Sequence, residues 1–147
     1  TMRTASGHIH IGFCEDADPN SEDHMIRCAT LVKQLDCYLG LPSLLFDKDT
    51  KRRKMYGEAG AFRPKPYGVE YRVLSNAWLL TENRMRFVFN QTVDAVKDLI
   101  AGKRATNSIP ENKLTWAINL SDGPTAKVLM LTGLPNGKHI AETARQL

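Results

Sequence analysis

Two short stretches carry the residue types most able to do chemistry. In "GHIHIG", Gly7 to Gly12, two of the chain's four histidines stand one residue apart inside an alternating run of isoleucines. Side chains along a strand alternate between faces, so Ile9, Ile11 and Phe13 share one face while His8, His10 and Gly12 share the other. The apolar face is suited to a core. The imidazoles opposite it form a ligand pair for a divalent ion, or a polar wall for a phosphate-bearing ligand. Taken alone, an HxH pair is more often just the polar outer face of a half-buried strand.

The second stretch lies in "YGEAGAFRPKPYGVEYRVLSN", Tyr56 to Asn76. Val69, Tyr71 and Val73 fall on one strand face, and Glu70, Arg72 and Leu74 on the other. A carboxylate and a guanidinium two residues apart make, by themselves, a surface ion pair of little energetic weight. Their surroundings add to them. Arg63 and Lys65 precede the pair in a Pro-punctuated segment, and Arg52 and Arg53 precede that in "KRRK". Several guanidiniums converging near one carboxylate suit an ATP triphosphate held with a metal ion. Gly57, Gly60 and Gly68 would let the backbone turn tightly or approach a ligand, and three such glycines equally fit ordinary turns.

These residues need strands and helices to hold them. The first strand runs from Arg3 to Phe13 and is followed by an acidic, turn-rich loop, "CEDADPNSED", Cys14 to Asp23. Ser21 then caps a helix from Glu22 to about Leu39, with Met25, Ile26, Ala29, Val32 and Leu35 or Tyr38 at helical spacing and Gly40 and Pro42 as its stop. A turn-rich stretch, residues 47 to 68, leads to a strand from Val69 onward. A second helix runs from Glu82 to about Ala101, where Gly102 ends it. In the tail from Asn107, "SDGPTAKVLMLTGL" predicts a short helix capped by Ser121 or Asp122 and closed by Gly133.

Composition narrows the classes. The chain has 147 residues, 42% of them hydrophobic, enough for one core and too few for two comfortable domains. The net charge of +4 is mild and locally concentrated, which suggests anionic ligands handled at one place. Three cysteines without CxxC spacing indicate neither a disulfide framework nor a zinc knuckle, and a reducing compartment, the cytoplasm, is expected. No apolar run reaches membrane-spanning length, and the start lacks a signal-peptide layout.

"GHIHIG" resembles the Gly-x-His-x-His segment of the glutamine synthetase and glutamate-cysteine ligase superfamily. "RR" followed by "YGEAGAFRPKPYGVEYRVLSN" resembles the Arg-rich, Glu-x-Arg segment of its carboxylate-amine ligase branch, closest to the phage-type COOH-NH2 ligases, or amidoligases. The resemblance covers Arg3 to Trp78, about half of the chain, and two motifs in the same order are more specific than either alone. It implies an α+β fold in which a curved antiparallel sheet, a glutamine-synthetase-like half-barrel, is backed by helices. It also implies an ATP-dependent ligase that phosphorylates a carboxylate and lets an amine displace the phosphate to give an amide. By position, His8 and Glu70 match the metal-binding residues for Mg2+ or Mn2+, and His10 the histidine beside the nucleotide. Arg72 matches the arginine that contacts substrate or the transferring phosphate, and Arg63, with Arg52 or Arg53, the upstream arginines that hold phosphate and substrate. Gly68 stands where glutamine synthetases proper have a further arginine.

In that superfamily other acidic metal ligands lie upstream of the HxH segment. The abrupt start at Thr1 therefore leads to the expectation that residues 1–147 are the C-terminal part of a single catalytic domain, with an N-terminal remainder as partner. The other expected partners are small-molecule or peptide carboxylate and amine substrates. Two other classes stay open. A metal-dependent hydrolase also uses an HxH strand but wants further histidines, and only His24 and His139 remain. A basic nucleic-acid-binding module would rest on "KRRK" and the nearby Tyr56, Phe62, Tyr67 and Tyr71, and it leaves the HxH strand unexplained.

Overall fold

The computed structural model of the chain describes residues 7–55 and 57–147, apart from the side chains of Arg52, Lys54 and Met55. The expected strand residues 3–6 and Tyr56 lie outside the described residues. The fold is α+β. Three short strands, β1 (Ile9–Gly12), β2 (Phe62–Lys65) and β3 (Gly68–Tyr71), form an open antiparallel sheet in the order β1-β3-β2. The helices are α1 (Glu22–Leu35), α2 (Leu41–Ser43), α3 (Thr50–Met55), α4 (Glu82–Ile100), α5 (Glu111–Asn119), α6 (Gly123–Gly133) and α7 (Gly137–Arg145).

The register fixes the two faces of the sheet. His10 and Arg63 both stand opposite Glu70, while Ile9 and Phe62 stand opposite Tyr71 and Ile11 and Pro64 opposite Val69. Cross-strand partners share a face, so the apolar positions of all three strands lie together. Val69 and Tyr71 are completely buried there, in one core with Cys28, Leu31, Val32 and Leu35 of α1. The opposite face carries His8, His10, Arg63, Lys65, Glu70 and Arg72. The β2–β3 hairpin turns through Pro66 and Tyr67. Gly68 closes the turn at φ +154°, and a Cβ there would lie 2.0 Å from the Ile11 carbonyl oxygen on β1.

Several boundaries depart from the sequence pattern. The strand at Val69 ends at Tyr71, and a 3-10 turn (Asn76–Leu79) capped by Ser75 follows it. Among the described residues of the expected turn-rich stretch 47–68, two regular elements occur, α3 and β2. The first helix does start at the Ser21 cap, whose hydroxyl accepts from the His24 amide. Gly40 and Pro42, however, do not stop the chain. A π-helical turn (Asp36–Gly40) continues into α2, with Gly40 in ordinary helical dihedrals and Pro42 in the first turn of α2. Pro42 has no N–H to give to the Tyr38 carbonyl one turn back, and Gln91 Nε2 donates to that carbonyl instead at 2.8 Å. The π turn also turns Asp36 inward, where it accepts a 2.6 Å hydrogen bond from the Tyr71 hydroxyl. In the tail, Asp122 caps α6, and two further helices, α5 and α7, flank it.

Candidate active site

The polar sheet face gathers basic side chains around one carboxylate. Glu70, on the central strand, is only 6% exposed. His8 Nδ1 lies 2.7 Å from its Oε1, Arg72 donates to the same oxygen at 3.1 Å, and Lys65 Nζ lies 3.5 Å from Oε2. Burial alone would push the Glu70 carboxyl up; the charges of His8, Arg72 and Lys65 outweigh it and hold the group below the usual glutamate range. Arg63, directly across from Glu70, is exposed, and its side chain makes no hydrogen bond or ion pair to the described residues. Next to it on the other side, His10 is exposed, with Nδ1 against the Tyr67 hydroxyl.

Backbone contacts hold the strand that carries the histidines. The Gly7 amide donates to the Leu74 carbonyl at 3.2 Å, and the Trp78 indole donates to the Gly7 carbonyl at 3.0 Å. A Cβ on Gly7 would lie 2.2 Å from the indole nitrogen, so only glycine permits this approach. At the far end of β1, the Phe13 and Cys14 amides both donate to the Tyr67 carbonyl. The strand is thus pinned beyond both histidines.

Of the residues predicted from sequence, the sheet brings together His8, His10, Arg63, Glu70 and Arg72. Arg53 is placed elsewhere. It is 3% exposed, donates to the Ser43 hydroxyl at 3.0 Å and lies 3.9 Å from Asp47, in a buried network that Ser75 joins through its hydrogen bond to Asp47. The Arg52 side chain lies outside the described residues. His24 and His139 do not join the HxH pair: His24 is tied to the Lys65 and Gly68 carbonyls, and His139 borders a cavity of about 700 Å³ between α4 and α7 that none of the polar sheet residues lines. Sequence reasoning missed Tyr67 and Trp78 as supports. The turn signature "KPYG" marks Tyr67 as a loop residue, but only the register shows that its hydroxyl reaches His10.

A cluster with one carboxylate among three side-chain cations and two imidazoles attracts anions that present several oxygens, such as phosphate or carboxylate. Residues 4–108 match the family model described as Phage phiEco32-like COOH.NH2 ligase-type 2. The chain belongs to that family. The COOH-NH2 ligase match makes it an enzyme of the ligase kind, and it spans the whole sheet and α1 to α4 while α5, α6 and α7 lie beyond it. Neither a curated relative nor a solved structure matches the chain. No helix among the described residues is long and apolar enough to cross a membrane.

The residues can also be tested against the divalent ion expected from sequence. His8 Nδ1 and Glu70 Oε1 are close enough for one ion to bridge, given metal–ligand bonds of about 2 Å. Among the described residues no group of three or more His, Cys, Asp or Glu side chains could hold a metal. Glu70 supplies the one carboxylate that Mg2+ commonly takes, with water and substrate phosphate filling the shell, and His8 adds an imidazole, a minority donor for so hard an ion. As a two-donor site, the pair fits.

Proposed function

We propose that this COOH-NH2 ligase uses ATP to activate a carboxylate as an acyl phosphate, which an amine then converts to an amide, on the polar face of the sheet. The observation that carries this reading is Glu70, a nearly buried carboxylate that gathers His8, Lys65 and Arg72 while the side chain of Arg63 across the strand has no partner among the described residues. A transferring phosphoryl group spreads negative charge over its equatorial oxygens, and preorganised cations that need not move are the most effective stabilisers of that charge. Arg63 and Arg72 hold the carboxylate and the phosphoryl group, each with a planar fork matched to two oxygens. Lys65 adds a point charge beside them. Glu70 keeps the cations apart and aimed, and with His8 it supplies the donors for Mg2+ or Mn2+. That ion, when bound, neutralises phosphate charge. His10, braced by Tyr67, lines the nucleotide side. β1 and β2 each leave an outer edge unpaired among the described residues, which supports the wider half-barrel sheet as their setting. The free cysteines support a reducing compartment such as the cytoplasm.

The mechanism has a direct test. Attack of an 18O-labelled carboxylate on the γ-phosphorus, followed by amine attack at carbon, leaves one labelled oxygen in inorganic phosphate. A panel of labelled amino acids and peptides with ATP, Mg2+ and an amine mixture should yield ADP, an amide and singly labelled phosphate. Release of AMP and pyrophosphate, or of unlabelled phosphate with the amide, would overturn the acyl phosphate route.

A further inference from the structure

The acidic loop after β1 and the first turn of α1 hold a pair that the ligase reading does not use. His24 is 3% exposed, and its Nε2 lies 2.8 Å from the Lys65 carbonyl and 3.0 Å from the Gly68 carbonyl, the two ends of the β2–β3 turn. Carbonyl oxygens only accept, so Nε2 carries a proton, and in the neutral tautomer this selects the lone pair is on Nδ1. That bare nitrogen faces the Cys14 sulfur at 4.0 Å. Cys14 is half-buried and its one S–H proton points to the Pro66 carbonyl at 3.4 Å, from which a rotation about the Cβ–Sγ bond turns it to Nδ1. The other two cysteines have no such access: Cys28, 3.5 Å from Nε2, and Cys37 are fully buried, and burial pushes both thiols up.

A solvent-reaching thiol, a buried imidazole with its acceptor nitrogen turned to that thiol, and carbonyls that fix the imidazole's tautomer reproduce the nucleophile, base and orienting group of covalent thiol chemistry. The loop adds selectivity, because Glu15, Asp16 and Asp18 follow Cys14 directly and a negative field attracts cationic reagents. We propose that Cys14 is a thiol-exchange site for small cationic disulfides, with His24 as its base. The Cys14 proton passes to His24 Nδ1 and the sulfur attacks one sulfur of the disulfide. A Cys14–S–S–R bond forms as the reagent's S–S bond breaks, and the leaving thiolate takes the proton from Nδ1 to depart as RSH. The disulfide is the oxidant; the Cys14 sulfur is oxidised and the departing sulfur reduced.

Cystamine, which is cationic, and glutathione disulfide, which is anionic, are the probes, applied to the whole chain at neutral pH and low salt and followed by intact mass and peptide mapping. A single adduct on Cys14 is expected. It should form about threefold or more faster with cystamine, once each rate is divided by that reagent's rate with free cysteine. His24→Gln should slow it about tenfold or more. Because that variant also loses the ties to Lys65 and Gly68, 15N shifts of the unmodified protein give a second reading, with the ring proton expected on Nε2. Any one of four results overturns the proposal. They are an unmodified Cys14, reagent charge without effect, a folded His24→Gln variant reacting at the original rate, and a proton on Nδ1.

Discussion

Replacing Glu70 with glutamine keeps the shape of the side chain and removes its charge, and the structure sets the size of the effect. His8, Arg72 and Lys65 approach the carboxylate at 2.7, 3.1 and 3.5 Å. At an effective dielectric of about 20 the charge pairs with Arg72 and Lys65 are each worth about 5 kcal/mol before desolvation, and His8 adds to them when its ring is protonated. The three partner side chains are 23%, 24% and 33% exposed, so solvent screens them. The net loss in Glu70→Gln should be about 2 to 3 kcal/mol, between the values for surface and buried pairs. For a chain of this size that lowers Tm by about 6 to 12 °C. The sign of the pH dependence follows from the depressed carboxyl. Its contribution is present above the unfolded value of about 4.3 and is lost as pH falls through the lower folded value. The gap in Tm between the two proteins should therefore be full at pH 7 and close in acid. Binding should change the other way. With its counter-charge gone, the cluster should hold ATP more tightly in EDTA by isothermal titration, and added Mg2+ should no longer strengthen binding. Equal Tm values across the pH range would refute the electrostatic argument, and an unchanged Mg2+ response would refute the assignment of Glu70 as a metal donor.

Three further outcomes are expected. Arg63→Lys keeps the charge but loses the planar fork, so kcat/KM should fall about 100-fold while Tm moves by no more than about 1 °C, since Arg63 is exposed; near-normal turnover would return Arg63 to the surface. Gly68→Ala places a Cβ 2.0 Å from the Ile11 carbonyl at φ +154°, and should cost about 3 kcal/mol or more in a denaturant titration; an unchanged midpoint would show that β1 and β3 do not meet as described. Asp36 has its carboxyl pushed up to about 7 by burial, against the lowering effects of the Tyr71 and Gly60 hydrogen bonds and the Arg53 charge. A raised carboxyl opposes folding increasingly as pH climbs from about 4 toward 7, so the Tm of Asp36→Asn minus that of the original chain should rise across that window and level off above it; a flat difference would place Asp36 outside the buried network.

The period-2 patterns were enough to separate faces, because alternation along a strand is a local property. His8 and His10 went to one side, Ile9 and Ile11 to the other, and Glu70 and Arg72 parted from Val69 and Tyr71 in the same way. Which strands lie side by side is not local. Arg63 reaches the position opposite Glu70 only because the hairpin turns at Pro66 and Tyr67, and the Arg-Pro-Lys sequence of β2 does not look like a strand. The same limit applies to Gly40 and Pro42, which read as a helix stop. Burial of Asp36 against Tyr71 carries the chain through a π turn instead, a tertiary contact that overrides local propensity. Arg53 looked like its neighbour Arg52 in "KRRK", yet Asp47 and Ser43 draw it inside. Helices α5 and α7 are nine residues each, too short for their spacing to stand out in sequence.

The two faces of β3 also explain why the cluster can be stiff. Glu70 is followed by Tyr71, which points the other way into the core and ends in a hydrogen bond to Asp36 on the π turn. Gly68, two residues earlier, presses so closely on β1 that no side chain fits. The backbone on either side of Glu70 is therefore fixed by contacts that involve none of the polar face. His8 is held in the same indirect way, through the Gly7 carbonyl and Trp78. An anion entering this face meets Arg72 and Lys65 already held by Glu70, so little reorganisation of these two cations is needed to receive it. Rigidity of this kind comes from the apolar side of the sheet. Substitutions at Tyr71 or Asp36, which cannot touch a ligand on the polar face, act on that face only through the backbone of β3.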